Sequence, residues 1–119
     1  MQNDRQAKGK TAEQTACLFL AQKEYEIVAT NYVWRKKEID IIAKKNNRLI
    51  FFEVKMRTSQ AYGYPEEAVN NKKQENIRKV AEHFIFDTDW QHDIQFDIIA
   101  ITQTQPNKPP EIYHIEDAF

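Results

Sequence analysis

The sequence contains only two glycines, Gly9 and Gly63, among its 119 residues. Glycine-rich loops that bind phosphate, of the GxGxxG or GxxxxGK[ST] type, therefore cannot be built from it. The one cysteine, Cys17, cannot form an internal disulfide, and the three histidines are too scattered to supply a zinc ligand set. These scarcities exclude dinucleotide-binding turns, Walker-type loops, disulfide frameworks and Cys/His zinc sites.

Long apolar runs are also absent. The longest covers residues 16–21, and the first ten residues, MQNDRQAKGK, lack the apolar core of a signal peptide. A membrane-spanning helix needs about 20 apolar residues. We therefore expect a soluble, cytoplasmic protein of a reducing compartment, with no membrane partner. Its length predicts one domain over residues 1–119, with residues 1–8 as a flexible N-terminal arm.

An excess of charge of either sign is missing too. The chain has 17 basic and 18 acidic side chains, and this balance argues against a nucleic-acid partner. The distribution changes that interpretation: residues 35–79 have a net charge of +6 and residues 80–119 a net charge of −7. Because salt screens charges beyond about 8 Å, the basic segment can attract an anionic polymer independently of the acidic end. Lysines that merely solvate exposed strands and a helix explain the same segment equally well.

Hydrophobic periodicity predicts two helices and five strands. The first helix is expected to start near Thr11, where Thr11 and Gln14 fit a capping box, and the second to run from Pro65 to Phe86. The predicted strands cover residues 26–35, with an irregularity at Asn31, and residues 38–44, 48–57, 94–102 and 111–115. This order predicts an α/β fold, αβββαβ with a last edge strand, whose mixed central sheet is flanked by helices.

Two carboxylates are predicted to face each other in the central hairpin. If residues 46–47 form its turn, cross-strand partners have numbers that sum to 93. Asp40 then lies opposite Glu53, and on the same face Glu38 lies opposite Lys55. Like charges so placed repel each other, and a lysine together with a hard divalent cation would offset the repulsion. Ordinary alternation, with Glu38 and Asp40 on a solvated face, is the alternative interpretation.

Two segments carry a family resemblance: residues 37–40, KEID, and residues 51–57, FFEVKMR. They resemble the paired motif of the PD-(D/E)XK superfamily, which has the restriction-endonuclease-like fold. Over nearly the whole chain the sequence resembles the small bacterial YraN-like family of predicted nucleases, which is similar to archaeal Holliday-junction resolvases. Further matching positions are Gly9, Glu13, Lys73, Gln74, Phe96 and Asp97.

The resemblance implies an endonuclease that hydrolyses DNA with Mg²⁺ or Mn²⁺, with branched or flap DNA as candidate substrates. It implies catalytic roles for Asp40, Glu53 and Lys55, where Lys55 orients or helps deprotonate the attacking water. The metal ligands it implies are Asp40, Glu53, the Val54 carbonyl oxygen and Glu13. Nucleic-acid contacts are expected from Lys36, Lys37, Arg57, Lys73 and Gln74. Cutting of a two-fold symmetric junction would require a homodimer.

Several positions depart from the family pattern or have a second explanation. Lys37 stands where the family usually has glycine, and Gln95 where it usually has arginine, which puts substrate contacts in question. An acid in the first turn of a helix, as predicted for Glu13, is favoured by the helix dipole whatever its function. Arg57 is equally well explained by a salt bridge within the hairpin, and Asp97 by a structural hydrogen-bonding role.

Two other functions stay open from the sequence. A non-catalytic nucleic-acid-binding module on the same fold would bind through the basic segment in a salt-sensitive way. A protein-interaction domain would use the acidic residues 80–119 as its contact surface. The aromatic side chains of Trp34, Tyr62 and Tyr64 either stack on bases or pack within the protein.

Overall fold

The computed structural model describes residues 4–57, 69–103 and 105–119. The elements follow in the order α1 (Asp4–Gln22), β1 (Glu26–Trp34), β2 (Lys37–Lys45), β3 (Arg48–Arg57), α2 (Asn71–Thr88), β4 (Asp93–Thr102) and β5 (Glu111–Ile115). All five predicted strands are present, with bounds within one residue of those expected. Within the described residues, neither helix combines the length and the apolar character that crossing a membrane requires.

The five strands form one mixed sheet in the order β1-β2-β3-β4-β5. Strands β1, β2 and β3 are antiparallel neighbours, and β5 is antiparallel to β4. Strand β3 runs parallel to β4 along its whole length, from Arg48 opposite Asp93 to Arg57 opposite Thr102. A parallel pair needs a crossover connection, and α2 lies in it. The predicted α/β fold is confirmed, and the sheet with its two helices is compatible with a restriction-endonuclease-like core.

Tight turns with left-handed backbone join the first three strands. In the turn of residues 46–47, the two asparagines have φ values of 52° and 63°, as a type I′ hairpin requires. Residues 35–36 have φ values of 50° and 65°, although arginine and lysine lack asparagine's tolerance for that region. The register predicted from residues 46–47 is confirmed from Lys45 opposite Arg48 to Ile41 opposite Phe52, where the ladder ends, so the predicted pairing of Asp40 with Glu53 lies beyond it.

Each face of the sheet is covered by one helix. Helix α2 packs on one face, where Phe51 contributes to its cluster, and α1 packs on the other, where Phe52 contributes. Both phenylalanines are buried, because successive side chains of a strand point to opposite faces. Burial of such a side chain stabilises the fold by roughly 1.5–3 kcal/mol. The central strand is therefore apolar on both faces, which explains its continuous run of apolar residues.

Strand alternation breaks at Asp40. Ile39 packs in the cluster beneath α2, whereas Ile41 packs in the cluster beneath α1. On a regular strand, residues two apart would share a face. The β2–β3 ladder ends at Ile41 and Phe52, and on the neighbouring strand β1 Asn31 has a φ of 51°, which confirms the predicted irregularity. Strands β2 and β3 therefore part at Asp40.

The start of α1 differs from the prediction. The helix begins at Asp4, so Thr11 lies inside it and does not cap it. Residues 4–8, which we expected to belong to an arm, are part of the helix. Residues 5–8, Arg-Gln-Ala-Lys, all have high helix propensity, and this continues the helix past the weak former Gly9 towards the N-terminus.

The start of α2 also differs from the prediction. The helix begins at Asn71 and not at Pro65, because the Asn70 side chain accepts a hydrogen bond of 2.9 Å from the Lys73 main-chain N–H and so caps it. Residues 65–67, the expected start, lie outside the described residues. The helix ends close to the predicted place, where Asp89 takes a left-handed conformation with a φ of 54°.

Candidate metal centre

Three carboxylates converge where β2 and β3 part. Glu13 comes from α1, and Glu38 and Asp40 come from β2; one oxygen atom of each lies within 4.8 Å of the other two. Oxygen ligands of one Mg²⁺, each about 2.1 Å from the ion, lie roughly 3–4 Å apart. The spacing and the hard oxygen donors therefore fit a small divalent cation after modest movement of the side chains.

Asp40 is held by the main chain of the neighbouring strand. Its Oδ2 accepts a hydrogen bond of 2.8 Å from the Val54 N–H, beyond the point where the β2–β3 ladder ends. Burial raises the pKa of Asp40 to about 7, with a further contribution from the charge of Glu53, whereas the Val54 hydrogen bond acts in the opposite direction. A carboxylate binds a metal ion in its charged form. A nearby cation would favour that form of Asp40 and lower its pKa again.

Glu13 belongs to this group for a reason other than the helix dipole. Since α1 begins at Asp4, Glu13 lies in the third turn of the helix. The helix dipole, which favours acids in the first turn, therefore does not explain why Glu13 is there. Burial raises the pKa of Glu13, against a hydrogen bond from Asn31, and the charges of Glu38 and Glu53 raise it further. Packing against the sheet thus brings this acid to the other carboxylates.

Asn31 joins the acids of α1 and β2. Its Nδ2 donates to Glu38 Oε1 at 2.7 Å, and its side chain also hydrogen-bonds Glu13. The sequence placed Glu38 on the face of Asp40 without a ligand role, and it did not identify Asn31 as a member of the site. For Asn31 the one available signal was the irregularity predicted there in β1. A residue other than glycine with a left-handed backbone is uncommon, and asparagine is enriched among such residues.

Glu53 is buried and paired with two lysines. Its side chain is 4% exposed, and its Oε1 lies 2.9 Å from Lys73 Nζ and 3.3 Å from Lys55 Nζ. A buried carboxylate requires such pairing, because an isolated charge is costly away from water. The β2–β3 ladder ends before Glu38 and Lys55 can face each other, so the predicted cross-strand pair is replaced by Lys55 with Glu53.

Lys73 and Gln74 are adjacent but have different environments. Burial lowers the pKa of Lys73, but its hydrogen bond to Glu53 and the charges of Glu53, Asp40 and Glu38 outweigh this and raise it. Gln74 Nε2 donates to the Val69 carbonyl oxygen at 2.9 Å, which fixes the chain that enters α2. Lys73 therefore faces the acids, whereas the Gln74 amide has a structural hydrogen bond.

A pocket brings the acidic and basic groups together. Its described lining residues are Lys36, Lys37, Glu38, Asp40, Glu53, Lys73, Asn76 and Ile77. Three of the five lysine, arginine and glutamine positions expected to contact nucleic acid, Lys36, Lys37 and Lys73, thus border the carboxylates. The Asn76 Oδ1 atom is buried and has no hydrogen-bond partner among the described residues. An orphaned acceptor beside carboxylates is a further sign that the pocket suits a positively charged group.

Other candidate positions lie apart from this pocket. Arg57 ends β3 opposite Thr102, and it is not among the described residues that line the pocket. The Trp34 ring stacks on His83 with centroids 5.0 Å apart, and the Arg35 guanidinium lies 4.7 Å from its centroid. Trp34 is therefore engaged in packing within the protein. Tyr62 and Tyr64 lie outside the described residues.

Asp97 has the structural role that the sequence offered as one alternative. It is fully buried in β4, and its Oδ1 accepts hydrogen bonds from Gln95 Nε2 and from the Asp117 main-chain N–H. Its Oδ2 lies 2.7 Å from His114 Nε2 in β5. Gln95, which departs from the family pattern, also accepts a hydrogen bond of 2.9 Å from Arg48. Asp97 thus ties β5 and the C-terminal residues to the centre of the sheet.

Comparison with known proteins finds one family. Residues 12–101 match the family described as "Uncharacterised protein family UPF0102". A UPF0102 protein of Cytophaga hutchinsonii is 47% identical over 95 residues, which cover 80% of this chain and 84% of that protein. One of Natranaerobius thermophilus is 44% identical over 116 residues, or 95% and 97% of the two chains. One of Christiangramia forsetii is 40% identical over 111 residues, or 93% and 92%.

Proposed function

The chain belongs to the uncharacterised protein family UPF0102, and we propose that it is a metal-dependent nuclease of the PD-(D/E)XK superfamily that hydrolyses phosphodiester bonds of DNA. The observation that carries the proposal is the meeting of Glu13, Glu38 and Asp40 within 4.8 Å, beside the buried Glu53. Each of these carboxylates raises the cost of ionising the others, and a divalent cation would offset that cost.

Asp40, Glu13 and Glu38 would hold a Mg²⁺ or Mn²⁺ ion, and Glu53 with the Val54 carbonyl would complete the ligand set. When bound, such an ion lowers the pKa of a water ligand and polarises a phosphoryl oxygen. Hydrogen bonding to the Val54 N–H orients Asp40, and hydrogen bonding to Asn31 orients Glu38. The protein's own contribution is this fixed placement of acids that come from three elements, α1, β2 and β3.

Lysines would handle the negative charge of the substrate. Lys55, next to Glu53, is partly buried, so its ammonium can hold an attacking water or neutralise a phosphate oxygen at the reacting centre. Lys36 and Lys37 line the same pocket and would bind flanking phosphates. The pocket thus combines groups for a cation with groups for a polyanion, as phosphodiester hydrolysis requires.

Cleavage assays test the proposal. The purified protein is incubated with single-stranded, duplex, flap and four-way DNA in Mg²⁺, Mn²⁺ or chelator. Asp40→Asn is expected to lower the cleavage rate at least about 100-fold, because a ligand of the reacting centre is lost. Asp93→Asn, which changes an exposed carboxylate paired with Arg48, is the matched control and should retain activity. Cleavage that persists unchanged in Asp40→Asn would refute the assignment.

A second function is favoured by the pairing of Glu53. Because two lysines already neutralise that carboxylate, the fold is also suited to bind nucleic acid without cutting it. This non-catalytic module would bind DNA equally in chelator and in Mn²⁺. The same assays discriminate the two functions: binding without any metal-dependent product would favour the module.

A further inference from the structure

Glu53 stands apart from the other acids of the pocket. The close oxygen group comprises Glu13, Glu38 and Asp40, whereas the Oε1 of Glu53 is occupied by the two ammonium groups of Lys55 and Lys73. A cation that binds Asp40 and also takes the Oε1 atom of Glu53 as a ligand must therefore compete with a lysine. The two lysines differ in how easily they can leave. The Lys55 side chain is 25% exposed and follows Glu53 on the same strand, while the Lys73 side chain is 44% exposed and reaches in from α2.

The position of Lys73 is unfavourable for its helix. It lies in the first turn of α2, which contains no acidic residue, and the positive end of the helix dipole repels a cation there. The hydrogen bond of 2.9 Å to Glu53 offsets this repulsion. Lys73 is thus held at the N-terminal end of the helix by Glu53 and would lose that support when Glu53 binds something else.

Asn76 offers a second acceptor to the same ammonium. It lies three residues after Lys73 on α2, a spacing at which helical side chains are neighbours. Both residues line the pocket, and the buried Oδ1 of Asn76 has no hydrogen-bond partner among the residues that the structure describes. An ammonium group released from Glu53 therefore has an acceptor of its own within the pocket.

We propose that Lys73 is an internal counter-ion, which neutralises Glu53 in the metal-free protein and moves to Asn76 Oδ1 when a divalent cation binds to Glu53. The inference rests on the proposed metal site and assigns Lys73 as a positioning residue. Lys73 keeps the buried carboxylate paired and correctly placed before the metal arrives. Its presence weakens the binding of metal to Glu53 Oε1, because a metal bound to that atom displaces it.

Titration with Mn²⁺, followed by thermal unfolding, tests this role without any cleavage. Lys73→Met is expected to lower the Mn²⁺ concentration for a half-maximal rise in Tm by roughly fivefold, as for loss of one competing ion pair. Lys73→Arg restores a competing cation and should behave like the wild type. Lys79→Met is the matched control, since Lys79 lies on the same helix, is 45% exposed and pairs with Glu75 outside the pocket.

Asn76→Ala tests the destination of the ammonium. Removing the second acceptor should raise the Mn²⁺ concentration for a half-maximal Tm rise at least roughly tenfold, by loss of one hydrogen bond to a charged group. In the double variant Lys73→Met/Asn76→Ala, the Asn76→Ala substitution should have no further effect. Without Lys73, no ammonium group is left to donate a hydrogen bond to Asn76 Oδ1. A double variant in which the two effects simply add would refute the movement to Asn76.

The results separate this inference from the proposed function. A wild-type Mn²⁺ response that Asp40→Asn abolishes but Lys73→Met leaves unchanged, or weakens, would overturn the counter-ion role and leave the metal site intact. No Mn²⁺ response in the wild type would overturn both. A tighter response in Lys73→Met that is absent in Lys79→Met supports the counter-ion role.

Discussion

At the scale of single residues, Asp40 is subject to two opposing effects. Its side chain accepts a hydrogen bond from the Val54 N–H, beyond the point where the β2–β3 ladder ends. This hydrogen bond favours the charged carboxylate. Burial and the neighbouring Glu53 oppose that charge more strongly, and the pKa of Asp40 rises from 3.8 to about 7. In the unfolded chain the group ionises near its ordinary pKa. The metal-free protein therefore binds an extra proton at Asp40 between these two values.

This pKa difference predicts how stability varies with pH. Because the folded state holds the proton more tightly, Asp40 makes a stabilising contribution to the free energy of unfolding. This contribution is fully present below about pH 4 and is lost as the pH rises through about 7. Asp40→Asn should remove the loss and stabilise the metal-free protein at pH 8 by about 2–4 kcal/mol relative to the wild type. Urea denaturation in chelator at pH 5 and pH 8 measures this, with Asp93→Asn as control. Parallel pH profiles for wild type and Asp40→Asn would contradict it.

At the scale of secondary-structure elements, Asp97 connects three parts of the chain. It lies in β4, pairs with His114 of β5 and accepts the main-chain N–H of Asp117 beyond β5. Strand β5 has only five residues and lies at the edge of the sheet, so β4 alone among the described strands supplies its pairing interactions. Phe96 adds a further contact, since its carbonyl oxygen accepts a hydrogen bond of 2.7 Å from the Ala118 N–H. The buried carboxylate is thus the main polar anchor of the C-terminal element.

Removal of this anchor should destabilise the protein without affecting the proposed metal site. Asp97→Ala leaves buried donors without an acceptor, and we expect the free energy of unfolding to fall by about 3 kcal/mol. Below its Tm, the variant should keep the wild-type response to Mn²⁺. Asp87→Ala, at an exposed position near the end of α2, is the control and should change stability by less than about 0.5 kcal/mol. Unchanged stability with loss of the Mn²⁺ response would instead make Asp97 a ligand.

At the scale of the whole molecule, charge is segregated. The net charge of −1 combines a basic segment, residues 35–79, with an acidic one, residues 80–119. The basic segment includes Lys36, Lys37 and Lys73, which border the carboxylate pocket. A DNA strand attracted to this side would meet the acids only where a bound cation offsets their charge. The charge distribution therefore favours DNA binding that depends on both salt and metal.

If the proposed function holds, the salt dependence of DNA binding measures the phosphate contacts of this side. In Ca²⁺, with no cleavage, the double variant Lys36→Ala/Lys37→Ala should bind DNA more weakly and reduce the slope of log K against log[salt] by about 2. The loss should be similar for different DNA sequences, because phosphate contacts carry no base information. Lys108→Ala, in the loop before β5, should leave the slope unchanged. An unaltered slope in the double variant would place the DNA on another surface.

Much of the fold followed from local sequence features. The hairpin register came from residues 46–47, because two asparagines allow the positive φ values of a tight turn. The strands came from their apolar periodicity, and the buried centre of β3 from Phe51 and Phe52 on opposite faces. The predicted start of α1 was wrong, because helix-forming residues before Thr11 outweighed the capping-box pattern there. The predicted start of α2 was wrong, because the sequence prediction did not recognise Asn70 as the residue that caps the helix.

By itself the sequence determined the order of strands and helices, the central hairpin and the presence of Asp40, Glu53 and Lys55 in it. Those features depend on neighbours within one strand or across one turn. Only the tertiary structure decided that Glu13 meets Asp40 and that Lys73 pairs with Glu53. These contacts join elements that are distant in the chain, and they arise because each helix covers one face of a sheet that parts at Asp40.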